Sequence, residues 1–136
     1  EGYYYSPHLI KSFSDGTPID SNMTTKRVIN IKPKHFRDVK VGMCRVFEGE
    51  SGTARYSAID SIQVAGKTGT AENPHGDDHS LFMGFAPADN PQIAIAVVVE
   101  NAGFGSQWAA PIASLMMEKY IRGYIKDSRK EKRFLE

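Results

Sequence analysis

The 136 residues include a single cysteine, Cys44, so an intramolecular disulfide is impossible. The formal net charge is only +1, and the basic residues are scattered rather than striped, which removes the electrostatic case for a nucleic-acid partner. The longest aliphatic run, Ile93–Val99, is far too short to cross a bilayer, and no leader peptide is legible. Internal repeats and low-complexity segments are missing as well. So is a Gly-rich phosphate loop: Gly66-Lys67-Thr68 would need glycine five positions upstream, and Ser61 stands there. No serine has lysine three residues on or asparagine two residues on.

What is present is a globular composition. Forty per cent hydrophobic residues are enough to build a core, and the length bounds the chain to one domain or part of one. Cys44, alone in an apolar helix, reads as a small buried hydrophobe. Pro33 suits a helix's first turn, and Phe36, Val39, Met43, Val46 and Phe47 then recur on one face as far as Gly49. Three strands are expected afterwards, at Ile62–Ala71, Ser80–Pro87 and Ile93–Val99. The continuous apolar run of the third predicts burial on both faces. The turn Ala88-Asp89-Asn90-Pro91 favours antiparallel neighbours. A closing helix from about Gln107 to Lys126 should lie across the sheet with Ile112, Leu115, Met116, Tyr120 and Ile121. The fold class is α+β: an antiparallel sheet of three or more strands with helices packed on it. An extended piece is expected around His8–Phe13, a mobile loop over 17–32, and a solvated charged tail over 127–136.

The chemistry concentrates at Gly66-Lys67-Thr68-Gly69-Thr70-Ala71-Glu72. Lys-Thr-Gly on a strand is one of three motifs that serine acyl-transfer enzymes place around one pocket, the others being Ser-x-x-Lys and a Ser-x-Asn type triplet. An edge strand offers unpaired N–H groups, and such prepositioned donors stabilise the oxyanion of acyl transfer. By itself the triplet is equally a surface turn or an ordinary β-strand with an exposed lysine, and the flanks decide.

Gly52-Thr53-Ala54, Val64-Ala65 running into the motif, Phe82-Met83-Gly84-Phe85-Ala86-Pro87 and Ala109-Ala110-Pro111-Ile112 follow in order. With Tyr5-Ser6-Pro7-His8-Leu9-Ile10 and Lys40-Val41-Gly42-Met43-Cys44-Arg45-Val46-Phe47, they resemble the C-terminal part of the transpeptidase domain of class B penicillin-binding proteins, of the penicillin-binding protein 2 type. The resemblance covers most of residues 1–136. It implies a fragment of the serine β-lactamase and penicillin-binding transpeptidase fold.

It also implies that the parent cross-links cell-wall stem peptides through a serine acyl-enzyme and binds penicillin. Lys67 and the backbone N–H of Thr70 would then be catalytic, and Lys67, Thr68, Gly69 and Thr70 would hold the D-Ala-D-Ala carboxylate or its β-lactam mimic. The nucleophile would come from outside this chain, and the isolated chain would be inactive. A serine β-lactamase fragment and a non-catalytic assembly module are the alternatives. Other implied partners are the remainder of the transpeptidase domain and, through an open sheet edge, a second copy. No cofactor is implied. The family works on the periplasmic side of the bacterial inner membrane, and Glu1 without a Met agrees with a piece of a longer, anchored protein.

His75, Asp77, Asp78 and His79 have zinc-like spacing for a helix, but Asn73-Pro74 and Gly76 break any helix there, so a polar hairpin loop is expected. Glu72 reads equally as solvated or as a supporting residue. His8 and His35 read as structural, Trp108 as an anchor of the last helix, and Asn101–Gly105 as a connector.

Overall fold

A computed structural model describes residues 2–135 and divides the chain into two units, Glu1–Val39 and Lys40–Glu136. The first unit holds the two-residue strands β1 (Tyr3–Tyr4) and β2 (Arg27–Val28), paired antiparallel with Tyr3 opposite Val28. Between them α1 (Ser21–Thr24) is a single turn. The Asp20 carboxylate accepts from the Asn22 amide at 2.9 Å, and the Thr25 amide closes on the Ser21 carbonyl. Residues 17–32, expected as a loop, therefore contain ordered elements. Asp20-Ser21 is a capping signal that a polar composition conceals. The extended piece around His8–Phe13 forms no strand; Leu9 and Ile10 are exposed, and the segment ends in a turn where Gly16 N–H donates to Phe13.

Helix α2 (Pro33–Glu48) begins at the expected proline. Its buried residues are Cys44 and Phe47, with Met43 and Val46 half-buried, whereas Val39 is exposed. Gly49 ends it, and the chain folds straight back on itself. A Cβ on Gly52 would lie 2.5 Å from the Val46 carbonyl oxygen, so only glycine permits this return. The Ala54 amide then donates to that same carbonyl at 2.9 Å.

Three strands make the sheet, in the order β3 (Ala65–Ala71), β4 (His79–Ala86), β5 (Ile93–Val99), antiparallel throughout. Strand alternation sorts the side chains. One face carries Thr68, Phe82, Ser80, Ile95 and Val97; the other carries Lys67, Leu81, Met83, Ala96 and Val98. Helix α3 (Ala109–Arg122) covers the first face. Ala109, Ala110 and Ala113 let it approach closely, and Met117 is fully buried in the same cluster as Phe82, Val64 and Phe47. The Phe47 and Phe82 rings meet edge to face at 5.8 Å, a favoured aromatic geometry.

Two expectations need correction here. Strand β5 is not buried on both faces. It is an edge strand whose Ala94, Ala96 and Val98 are exposed within this unit, because α2 reaches only the Ala65 and Phe85 corner of that side. The solvated charged tail, in turn, is helical: α4 (Ser128–Leu135) takes up every described residue there except Asp127. Asp127 caps it through the Arg129 amide at 3.1 Å. Bonds from the Arg129 side chain and amide hold the Asp127 carboxyl below the usual carboxylate range. The Phe134 ring meets Trp108 at 6.1 Å, and Arg133 reaches the Gln107 carbonyl. Trp108 thus anchors a helix that charge counting conceals. Helix α3 also ends before Lys126, because Gly123 takes a left-handed conformation at φ 79°.

Met117→Ala should cost about 2–5 kcal/mol in urea unfolding, the usual range for emptying a closed site of this size. A loss under about 1 kcal/mol would mean that α3 does not seal the sheet.

Candidate active site

Lys67, Thr68, Gly69 and Thr70 all lie on β3, and β3 has β4 on one side only. Among the described residues its other edge is open. The register decides which groups face outward. Gly69 lies opposite Leu81, and a Cβ on Gly105 would come within 3.0 Å of Gly69 N, Gly69 O and Leu81 O together. Those three atoms therefore sit between the strands, in the β3–β4 ladder. With a two-residue period, the N–H and C=O of Thr68 and Thr70 point the opposite way, to the open edge. The Lys67 ammonium agrees: it donates to the Thr68 carbonyl at 2.7 Å.

The side chains around this edge are polar and short. Thr53 Oγ1 and Thr68 Oγ1 share a hydrogen bond of 2.8 Å, tying the Gly52-Thr53-Ala54 turn to the motif strand. Lys67 borders a recess of about 350 Å³ with Arg45, Ser51 and Thr53. Two cationic side chains beside hydroxyls suit a carboxylate. In the sequence Arg45 and Thr53 stand only in flanking segments, and it is the Gly52 turn that brings them beside Lys67.

The polar loop 72–78 after β3 is stitched to the loop that follows β5. Asn73 Nδ2 donates to Asn101 Oδ1 at 2.7 Å, and the Ala102 and Gly103 amides donate to the Asp78 carbonyl at 2.9 and 2.7 Å. His79 Nδ1 accepts from the Asn101 amide at 3.1 Å, the arrangement of the Nε2–H tautomer. The loop histidines and aspartates are thus split between loop-to-loop bonds and solvent. No group of three or more potential metal ligands converges among the described residues. Asn101, read as part of a connector, is a structural hub at φ 51°. A larger cavity, about 720 Å³, lies beside this stitch and is lined by Asp77, Asp78, Asn101, Phe104 and Trp108. It contains no motif residue and no nucleophile, so chemistry is argued at β3 instead.

Cys44 packs against Ala65 and Ala88, and burial pushes its thiol pKa up, which disfavours the reactive thiolate. Among the described residues no helix is long and apolar enough to cross a membrane.

The family model described as "Penicillin binding protein transpeptidase domain" matches residues 1–118. The chain is 33% identical over 138 residues to a peptidoglycan D,D-transpeptidase MrdA of Haemophilus influenzae, covering 88% of this chain and 21% of that protein. Its fold is similar to the crystal structure of Pseudomonas aeruginosa PBP2 in complex with WCK 5153, with a TM-score of 0.71 and 39% identity, over 90% of this chain and 27% of that one. It is also similar to penicillin-binding protein A of Mycobacterium tuberculosis in its imipenem acyl-enzyme complex, with a TM-score of 0.65 and 29% identity over 88% of this chain and 27% of that one. The chain spans about a fifth of the length of the curated relatives it matches.

Asn73→Ala should loosen the stitch between the two loops. With about 1 kcal/mol lost per hydrogen bond, the Ala102 and Gly103 amides should exchange with deuterium roughly fivefold faster. Unchanged exchange would mean that the loops hold without Asn73.

Proposed function

The chain belongs to the penicillin-binding protein transpeptidase family, and we propose that its β3 strand is one wall of a peptidoglycan D,D-transpeptidase active site. The observation that carries this reading is the open edge of β3, where the Thr70 N–H points away from β4 beside the Lys67 ammonium.

The proposed reaction needs a serine supplied by a segment outside residues 1–136. Its oxygen adds to the penultimate D-Ala carbonyl of a stem peptide, forming a tetrahedral oxyanion, and the terminal D-Ala leaves. An amine from a neighbouring stem then displaces the serine oxygen, leaving a new amide bond. A β-lactam would enter the same cleft and stop at the acyl-enzyme. The Thr70 N–H is one oxyanion donor; in subtilisin, loss of such a donor costs about 100–1000-fold in rate. The hydroxyls of Thr68 and Thr70 and the Lys67 charge hold the substrate carboxylate. The substrate backbone adds to the strand edge at Thr68 and Thr70, as extended peptides do on other sheets. Gly69 leaves the approach clear.

The relatives' names, D,D-transpeptidases, favour an amine over water as acyl acceptor and an enzyme over an assembly module. The proposed place of action is the periplasmic side of the inner membrane, where a peptidoglycan cross-linking enzyme meets its substrate. The apolar face of Leu81, Met83, Phe85, Ala96 and Val98 is the surface on which the remainder of the domain would lie. In its absence a second copy would compete for the β5 edge.

In the full-length protein, Lys67→Ala should slow acylation by a fluorescent penicillin at least about tenfold, the scale of one lost charge-assisted contact, with unchanged unfolding. Unchanged acylation would remove Lys67 from the site. Residues 1–136 alone should take no label, and stoichiometric labelling of a serine in them would contradict the external nucleophile.

A further inference from the structure

We propose that Gly105 and Ser80 are positioning residues, which set the direction of the Thr70 N–H by clamping the back of the motif strand. The inference rests on the reading above that this N–H is an oxyanion donor.

Ser80 is completely buried and lies directly opposite Thr70 across the β3–β4 pair. Its hydroxyl donates to the Phe104 carbonyl at 3.0 Å and accepts from the Ala109 amide at 3.1 Å. One side chain therefore holds both ends of the 104–109 segment. Gly105 sits inside that segment, and its carbonyl accepts from the Ala110 amide at 2.8 Å.

The clamp presses on the backbone itself. A Cβ at Gly105 would stand 2.2 Å from the Leu81 carbonyl oxygen and 2.4 Å from that of Gly69. Both are ladder atoms, so neither can swing aside as a side chain would. The reason for glycine here is space, since its φ is not among the positive ones.

The Gly69 carbonyl and the Thr70 N–H belong to one planar peptide unit and point in opposite directions. The oxygen rests against Gly105, and the N–H faces the open edge. Any contact that pushes the oxygen rotates the donor with it. Among the described residues no strand pairs with β3 on its far side, so the orientation of this peptide unit depends on β4 and on the clamp behind it. An oxyanion donor acts only when aimed at the developing charge, and small misplacements are expensive in rate.

The test is stopped-flow acylation of the full-length protein by a fluorescent penicillin, resolving the acylation rate constant from the dissociation constant of the preceding complex. Ser80→Ala removes one oxygen and adds no volume; Gly105→Ala adds one methyl. Both should lower the acylation constant by about tenfold or more while binding changes by less than about twofold, because the carboxylate contacts of Lys67 and Thr68 are untouched. Should Gly105→Ala fail to fold, Ser80→Ala decides alone. A wild-type acylation constant in Ser80→Ala, or a loss confined to binding, overturns the clamp. Failure of the unaltered protein to be acylated would instead overturn the function on which it rests.

Discussion

One peptide plane, between Gly69 and Thr70, links the architecture to the chemistry. Its carbonyl is turned into the β3–β4 ladder and its N–H outward, and this division follows from the register of Gly69 opposite Leu81. A slip of one residue would send the Thr70 amide into the ladder and move Lys67 to the other face of the sheet. The register in turn depends on what the two faces bury. Phe82 and Ser80 go under α3, while Leu81 and Met83 stay on the opposite side with Lys67. The apolar packing of α3 therefore fixes which backbone groups a substrate meets.

The second support is the loop between β5 and α3. It reaches across the sheet's buried face to touch the ladder at Gly69, and the buried Ser80 hydroxyl holds it there. The Asn73–Asn101 and Asp78 bonds join the same loop to the hairpin after β3. The turn after α2 supports the motif strand from a different element, through Thr53 and Thr68. Two connections thus converge on a strand of seven residues.

Much of this arrangement was legible in the sequence, for definite reasons. The placement of Lys67–Thr70 on one strand is legible because the motif is contiguous, and the antiparallel order because Asn90-Pro91 and the short connections leave little choice. Pro33 and the apolar face of α2 gave that helix its start, although Val39 lies outside the buried stripe. The misses have a common cause. Ser80, Gly105, Thr53 and Arg45 act through contacts between residues far apart in the chain, and no local period reports those. Helix α4 was hidden because its charges suggested solvation, while its apolar contact, Phe134 on Trp108, lies 26 positions upstream (134 − 108). The run Ile93–Val99 reads as doubly buried, yet three of its seven side chains are exposed within the unit. Its composition fits the proposal that further chain covers that face.

The central claim is that the Thr70 amide is free at the strand edge until acyl transfer engages it. Amide hydrogen exchange on the full-length protein, resolved at Gly69 and Thr70 before and after acylation by penicillin, tests this directly. The account predicts that Gly69, held in the ladder, is protected in both states, whereas Thr70 exchanges freely at first and becomes protected on acylation. A Thr70 amide already protected in the unacylated protein, or equally exposed afterwards, would contradict it.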